Sequence, residues 1–503
     1  MPRGPPRAGD SRLTVHRPIL ATCLRNPLRR LIIDDQRKWR GIDLLVGAFH
    51  LAGHIQRTGR APTVGIMLPS GGAFPAAALG AWILGRTVVP LNYLLKQEEL
   101  QYVIDDCGTD LLITARPMLE FLGYTPRCAS LMLLDKLNFR AVPEPRWPGA
   151  ADPDSIAALL YTSGTSGRPK GVMLSHANIR TNIEQAVDYV QFDRRDVLLG
   201  VLPQFHSFGF TVLTLLPLSI GAQVVFSARF VPGKIVRLFR EHRPTAFVAI
   251  PSMYHALMSV KEAGPEDFSS LRFAVSGGEP LPRAVAEKFR ERFGVTIAEG
   301  YGLTETSPVT NWCLPQEYRP GSVGRALPRI EERIVDMAAG GDLGPDQDGE
   351  VRIKGPNIMK GYFQLAEQTA AMFDERGFLR TGDIGRFDRD GHLYITGRLK
   401  EMIIVGGENV FPREIEEVLD RHESVQASAV IGVRDEMRGE TPWAFVELKD
   451  GAAFDESALR SWCRERLAGY KVPREIRPME KLPRNPTGKI MRRELKKLID
   501  QKA

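Results

Sequence analysis

Apolar runs alternate with helix-like stretches through the first 300 residues, and this alternation most constrains the fold. Helical patterns at 235–241 and 284–293 separate some of these runs. Strands joined by helices in this way predict an α/β fold of layered, mostly parallel sheets. Strands are predicted at 64–68, 88–91, 111–114, 157–161, 197–202, 224–226, 246–250, 273–275 and 295–298.

The pattern changes after about residue 300. Short strands and Gly/Pro turns dominate 321–399, which predicts a β-rich subdomain. A small α+β unit follows, with strands near 427–433 and 443–448 and a helix near 456–467. We therefore expect a flexible tail and three further segments. Their bounds are 1–12 for the tail, 13–397 for a large N-terminal domain, 398–400 for a hinge and 401–503 for a small mobile C-terminal domain.

Charge and cysteine content restrict the partners and the compartment. The net charge of +7 equals that of 470–503, where eleven Lys or Arg face four Asp or Glu. This basic end suits an anionic partner, such as a phosphorylated cofactor, an acidic carrier protein or a lipid surface, and equally suits a solvated face. Aromatic residues do not interleave with it, so nucleic acid is not expected. The five cysteines are scattered, which predicts a reducing, cytoplasmic location.

Residues 161–171, YTSGTSGRPKG, follow an apolar run and form the clearest candidate site. Glycines let backbone N–H groups approach an anion, hydroxyls add donors, and Lys170 adds a positive charge. This combination predicts binding of the β- and γ-phosphates of ATP. It does not match the P-loop of NTPases, because Gly164 and Gly167 are too close together and Pro169 precedes the lysine.

The segment 162–176, TSGTSGRPKGVMLSH, closely resembles the phosphate-binding signature of the adenylate-forming superfamily, which includes acyl-CoA synthetases, adenylation domains and luciferases. The resemblance extends over about 66–495 and is greatest to the fatty-acid-activating branch, which contains long-chain fatty acyl-CoA and acyl-ACP synthetases. It implies a catalytic role for Lys170. It also implies that the following residues bind ATP: Thr162, Ser163, Gly164, Thr165, Ser166 and Gly167.

Two further motifs offer groups that suit a nucleotide. EGYGLTET, at 299–306, supplies a ring, a hydroxyl and a carboxylate, and a carboxylate near phosphates suits Mg²⁺. The resemblance implies that Tyr301 and Gly302 contact the adenylate, that Thr304 contacts the phosphates, and that Glu305 helps to hold Mg²⁺. SGGEP, at 276–280, also reads as a strand-to-helix turn. The resemblance assigns its residues to adenine (Gly278, Glu279) and to the acyl pocket (Ser276, Gly277).

The motifs around residue 400 suggest a nucleotide that bridges two domains. GFLRTGD resembles the family motif whose aspartate, here Asp383, binds both ribose hydroxyls, and Arg398 matches an arginine near the ribose. Lys400 matches the hinge position. Gly407 in GGEN matches a loop that lines the tunnel for the pantetheine thiol, although a simple hairpin turn fits the same residues. Two departures from the family pattern are Leu379 and Arg329.

Lys489, in RNPTGKIMRREL, matches the family lysine that bridges the substrate carboxylate and the α-phosphate. A cation between two approaching anions lowers the barrier to their reaction. PQFHSFGF, at 203–210, matches the segment beside the acyl pocket and implies roles there for His206, Phe208 and Gly209. Because that segment is apolar and carries no Lys, Arg, Asp or Glu, it favours an aliphatic acid over a dicarboxylate or an amino acid.

These motifs together predict an ATP-dependent acid–thiol ligase. It would convert a medium- or long-chain fatty acid to acyl-AMP with Mg-ATP and then transfer the acyl group to coenzyme A. An acyl carrier protein as acceptor, an aryl or short-chain acid as substrate, a luciferase-like oxygenase and a non-catalytic acyl-binding scaffold are the alternatives. Contact with the inner face of the membrane is a further expectation.

Overall fold

The computed structural model describes residues 14–139, 141–149, 152–163, 168–435, 437–484 and 490–500. In chain order the strands are β1 (Arg30–Ile33), β2 (Lys38–Arg40), β3 (Thr63–Ile66), β4 (Thr87–Pro90), β5 (Leu111–Thr114), β6 (Ser130–Leu133), β7 (Ile156–Ser163), β8 (Pro169–Ser175), β9 (Val197–Gly200), β10 (Gln223–Phe226), β11 (Ala246–Ala249), β12 (Phe273–Ser276), β13 (Ala298–Gly302), β14 (Val309–Trp312), β15 (Arg325–Ala326), β16 (Glu331–Val335), β17 (Gly349–Lys354), β18 (Gly361–Tyr362), β19 (Leu379–Phe387), β20 (Leu393–Arg398), β21 (Ile403–Val405), β22 (Glu408–Val410), β23 (Val425–Asp435), β24 (Gly439–Leu448) and β25 (Glu475–Met479).

The helices connect and cover these strands. They are α1 (His16–Arg25), α2 (Gly41–Thr58), α3 (Ala73–Ile83), α4 (Gln97–Asp106), α5 (Arg116–Leu122), α6 (His176–Val190), α7 (Ser207–Phe210), α8 (Leu216–Ile220), α9 (Pro232–His242), α10 (Pro251–Leu257), α11 (Arg283–Phe293), α12 (Ala366–Ala371), α13 (Pro412–Leu419), α14 (Glu456–Arg464) and α15 (Arg492–Asp500).

Two large sheets form the N-terminal domain. The first has the strand order β15-β14-β13-β12-β11-β9-β10-β1-β2, and its central strands are parallel. The second has the order β18-β8-β7-β4-β3-β5-β6. Central strands such as β9 and β11 are apolar along their length because helices cover both faces of a parallel sheet. The predicted α/β fold is confirmed.

Two smaller sheets follow. The order β16-β17-β19-β20 gives an antiparallel sheet, which is the predicted β-rich subdomain. The order β22-β21-β24-β23, with β25 beside β24, gives the sheet of the C-terminal domain. This last sheet packs with α13 and α14 around a separate apolar core that includes Ile415, Val430 and Leu459. The predicted small α+β domain is therefore confirmed.

Most predicted elements differ from the structure by a few residues at their ends, as two examples show. The strand predicted at 295–298 begins only at Ala298, where the chain first pairs with β12, so the EGYG residues themselves form the strand. The helix predicted at 456–467 ends at Arg464. Arg329, one of the departures from the family pattern, has φ +67°, a left-handed conformation that favours glycine.

A buried histidine pair joins α1 to the start of α6. His16 and His176 are 0% and 3% exposed, and their rings are 5.4 Å apart. Burial lowers the pKa of His16 to about 3 and that of His176 to about 4. For His16, the charges of His176 and Arg17 add to this effect.

We expect stability to fall as the pH drops below 6.5 towards 4, because the unfolded chain then binds protons that the folded histidines do not. Each pKa unit is equivalent to about 1.4 kcal/mol. His16→Phe should flatten the dependence of melting temperature on pH in this window. The more exposed His54→Gln variant serves as the control, and an unchanged slope in His16→Phe would contradict the assignment.

Among the described residues, no helix is both long enough and apolar enough to cross a bilayer.

Candidate active site

A cavity of about 590 Å³ lies where both large sheets, the β-rich sheet and the segment after β20 meet. Residues from six predicted motifs, GFLRTGD among them, line it together, although most of these motifs are far apart in sequence. The lining residues that the sequence had singled out are Thr162, Lys170, His206, Phe208, Gly278, Tyr301, Gly302, Thr304, Glu305, Arg398 and Lys400.

A buried carboxylate, Asp383, does not itself line the cavity but binds two residues that do, Tyr301 and Arg398. Asp383 is 2% exposed, and its two oxygens are bound by different partners: Tyr301 Oη donates to Oδ2 at 2.7 Å, and Arg398 Nε is 2.7 Å from Oδ1. Asp383 and Arg398 are cross-strand neighbours in β19 and β20, which fixes the ion pair. The carboxylate raises the pKa of Arg398, and burial followed by Asp383 raises the pKa of Tyr301.

The short helical turn after β13 places a hydroxyl and a second carboxylate at the cavity. Thr304 Oγ1 lies 3.3 Å from Ser207 Oγ. Glu305 Oε1 accepts a hydrogen bond of 2.8 Å from Tyr362 Oη. Burial, and then the charge of Glu305, raises the pKa of the Tyr362 phenol, so the tyrosine remains a donor. Glu305 is thus held towards the cavity by a neutral partner.

Lys170 lies on β8 opposite Thr162 on β7, so the predicted phosphate loop joins two antiparallel strands. The Nζ of Lys170 lies 5.2 Å from the centre of the Tyr362 ring. A strand, β8, follows the predicted phosphate loop, whereas a helix follows the loop of a P-loop NTPase, which agrees with the mismatch to the P-loop motif in the sequence. The lysine, Tyr362 and Glu305 form one cluster of charge and aromatic surface at the cavity wall.

The apolar segment 203–210 forms another part of the wall. His206 Nδ1 accepts a hydrogen bond of 3.4 Å from the backbone N–H of Phe208. Gly209 permits a close backbone contact, because a Cβ there would come within 2.1 Å of the Pro203 carbonyl oxygen. Gly277 lies against the Phe208 ring, and the Ser276 side chain is buried.

Lys400 lies at the cavity immediately after β20, and burial followed by the charge of Arg398 lowers the pKa of its amine. Gly407 lies in the tight turn between β21 and β22 with φ +92°, so the hairpin interpretation of GGEN is correct for this conformation. Of the predicted site residues that the structure describes in full, six are not among the cavity-lining residues: Gly209, Ser276, Gly277, Glu279, Asp383 and Gly407.

Several predicted residues lie outside the described part of the chain: Gly164, Thr165, Ser166, Gly167 and Lys489. For Ser163, only the position in β7 is described. Their assignments remain predictions.

Sequence reasoning missed residues that the fold brings to the cavity. Ser207 lies inside the 203–210 segment, so its neighbours could have indicated it. Tyr362 belongs to the two-residue strand β18, which carries no motif and reaches the site only by pairing with β8. Trp312 also lines the cavity and belongs to no quoted motif, whereas Arg380 lies inside GFLRTGD, next to the residues of that motif that the sequence analysis named.

Comparison with known proteins identifies the class. The family model for AMP-binding enzymes matches residues 21–363, and that for the AMP-binding enzyme C-terminal domain matches 414–489. The chain therefore belongs to the AMP-binding enzyme family.

Among curated relatives, the long-chain-fatty-acid–CoA ligase of Bacillus subtilis is 34% identical, over 90% of this chain and 89% of the relative. The 4-coumarate–CoA ligase CCL1 of Humulus lupulus is 36% identical over 70% of this chain and 66% of the relative. Among solved structures, an anthranilate CoA ligase in complex with anthranoyl-AMP has a TM-score of 0.89 at 27% identity, over 97% of this chain and 98% of that one.

Two structures of one protein, MatB from Rhodopseudomonas palustris, differ in their similarity to this chain. Both cover 97% of this chain and 99% of MatB, at 30% identity for the ATP-bound form and 29% for the apo form. The TM-score is 0.88 for the ATP-bound form and 0.78 for the apo form. The arrangement of this chain is thus closer to the ATP-bound one.

Proposed function

We propose that the protein is an AMP-forming fatty acid–CoA ligase. The observation that carries this proposal is the convergence of Arg398, Thr304, Glu305 and Lys170 around one cavity, with Asp383 paired to Arg398. The first curated relatives match most of the chain and are named long-chain-fatty-acid–CoA ligases, which supports the same reaction here. The experiment that tests it is ATP–pyrophosphate exchange, followed by acyl-CoA formation on addition of coenzyme A.

In the first half-reaction a carboxylate oxygen attacks the α-phosphorus of ATP, which forms the acyl–phosphate bond and releases pyrophosphate. Asp383 would accept hydrogen bonds from the ribose hydroxyls, and Arg398 and Tyr301 hold that carboxylate in place. Thr304 and Lys170 would stabilise the phosphates. The loop 164–167 and Lys489 would complete the charge stabilisation, which acts through positioning and electrostatics.

Glu305 would hold Mg²⁺ together with phosphate oxygens. No group of three or more His, Cys, Asp or Glu side chains in the described ranges is arranged to bind a metal. Glu350 also lines the cavity but is paired with Arg352, whereas Glu305 fits an ion that arrives with ATP, because Mg²⁺ is commonly bound by one or two carboxylates plus substrate phosphates.

Glu305→Gln should therefore lower the exchange rate by roughly 10- to 100-fold and raise the Mg²⁺ concentration needed for half-maximal rate. The amide oxygen can still accept from Tyr362, so the melting temperature should change little. Glu287→Gln, on the surface of α11, is the matched control. An unchanged Mg²⁺ requirement would contradict the assignment of Glu305.

In the second half-reaction a thiol attacks the acyl carbonyl and AMP leaves. We propose that the C-terminal domain, residues 401–503, rotates about a hinge at 398–400. This rotation would withdraw Lys489 and bring Gly407 to the site. Lys400 borders the cavity at the start of this domain, which supports its role as the pivot. One site would then perform two reactions in turn.

The cavity favours an apolar acid. Phe208, Pro308, Val309 and Trp312 line it, which suits an aliphatic chain. Aromatic acids are the second candidate, because a curated relative is named 4-coumarate–CoA ligase. Exchange measured with short, medium, long and aromatic acids decides between them: a preference for aliphatic acids supports the proposal, and a preference for benzoates or cinnamates would contradict it.

Coenzyme A is the proposed acceptor, with an acyl carrier protein as the alternative and contact with a membrane surface as an accompanying property. The basic C-terminal end supports an anionic partner of either kind. Acyl transfer to coenzyme A and to holo-carrier protein, compared at equal concentration, identifies the acceptor. Co-sedimentation with anionic vesicles at low and physiological salt tests the membrane contact.

A further inference from the structure

The side chain of Arg413 connects the C-terminal domain to the β-rich sheet. Its Nη1 donates to the backbone carbonyl of Ile395 in β20, while its Nε donates to Glu417 Oε1 at 2.9 Å, one turn along α13. The side chain is only 15% exposed. One guanidinium therefore joins a helix on one side of the proposed hinge to a strand on the other.

A buried acid on β13 interacts with the charge of Arg413. Glu299, on β13 two residues before Tyr301, is 8% exposed, and its Oε2 accepts from the Leu281 N–H at 3.2 Å. Burial raises the pKa of Glu299 to about 6, and the positive charge of Arg413 acts in the opposite direction. Arg413 is thus attracted to the same strand that carries the proposed adenine-binding ring.

Two other contacts cross the hinge. The Phe411 ring packs on Gly397, where a Cβ would lie 2.8 Å from Phe411 Cδ1. Gln426 Nε2 and His255 Nε2 are 2.9 Å apart. Each pair joins a residue before the hinge to one after it, so a rotation about Lys400 would break these contacts together with that of Arg413.

The arrangement with these contacts is the one that resembles ATP-bound MatB more than apo MatB. We propose that Arg413 is a positioning residue that holds the C-terminal domain in the ATP-binding arrangement for the first half-reaction and releases it for the second. This inference rests on the proposed two-step function. Arg413 would shift the equilibrium between the two domain arrangements towards the ATP-binding one, and no motif in the sequence indicates this role.

Arg413→Ala should lower the rate of ATP–pyrophosphate exchange by about tenfold, the loss expected for one hydrogen bond to a charged group. Thioester formation from supplied acyl-AMP and coenzyme A should be unchanged or faster, because that step uses the released arrangement. The readout is the ratio of the two half-reaction rates, which a general loss of folded protein would not change. Arg413→Lys keeps a positive donor and should recover part of the exchange rate.

A control variant isolates the contact. Arg421→Ala removes an exposed arginine just beyond the same helix. It should show the same ratio of half-reaction rates as the unaltered protein. Suppose that the unaltered protein shows exchange. If Arg413→Ala then loses both half-reactions equally, or loses neither, the inference about Arg413 is overturned and the proposed function is not. If none of the tested acids supports pyrophosphate exchange by the unaltered protein, the proposed function is wrong, and the inference about Arg413 is wrong with it.

Discussion

Lys489→Ala should reduce ATP–pyrophosphate exchange by roughly 100- to 1,000-fold, the loss typical of removing a group that stabilises transition-state charge. The carboxylate and the α-phosphate are both anions, so their approach needs a cation between them. The same variant should still form thioester from supplied acyl-AMP at a rate close to that of the unaltered protein, because the proposed rotation removes Lys489 before that step.

Lys496→Ala is the control for Lys489, since it removes an exposed lysine of the same basic segment. Its two half-reaction rates should match those of the unaltered protein. If Lys489→Ala lost both half-reactions equally, Lys489 would be needed throughout, and the two-arrangement account would be wrong.

Asp383→Asn has the second large expected effect. The substitution removes the charge that compensates Arg398 and a strong acceptor for the ribose hydroxyls. Breaking a buried ion pair by removing one partner costs about 3–5 kcal/mol. We therefore expect a lower free energy of unfolding, measured by urea titration, and a KM for ATP raised by roughly 100-fold.

Asp348→Asn provides the comparison. Asp348 pairs with Arg386 in the neighbouring part of the β-rich sheet, but both side chains are over a third exposed. Such pairs contribute about 0–1 kcal/mol, so this variant should change neither stability nor KM appreciably. A lower free energy of unfolding with an unchanged KM for ATP would show that Asp383 is a structural residue rather than part of the nucleotide site. No change in either quantity would contradict both expectations.

Much of the fold follows from local patterns. The strand at 111–114 was predicted with its observed bounds, because β5 is buried on both faces and reads as a continuous apolar run. The strand at 295–298 was placed too early: its pairing with β12, and not its own apolarity, sets where β13 begins. Long-range pairing of this kind is not encoded in the local pattern.

The site residues also fall into two groups: those that a local motif predicts and those that only the tertiary fold brings to the site. Motifs indicated Asp383, Thr304 and Glu305, because their chemistry is carried by a few adjacent residues. Tyr362 and Arg413 could not be predicted, because each acts through one contact made by the tertiary fold, to Glu305 and to the Ile395 carbonyl. The phosphate loop 164–167 and Lys489 lie outside the described residues, so their roles rest on the chemistry of their residue types and on the resemblance.

The central claim is that a carboxylate attacks the α-phosphate of ATP before a thiol takes the acyl group. It is tested most directly with a fatty acid whose carboxylate carries a heavy oxygen isotope, incubated with ATP, Mg²⁺, coenzyme A and the protein. Mass spectrometry of the nucleotide product should show AMP that carries one labelled oxygen from the acid. Labelled inorganic phosphate with ADP, or AMP without label, would contradict the account.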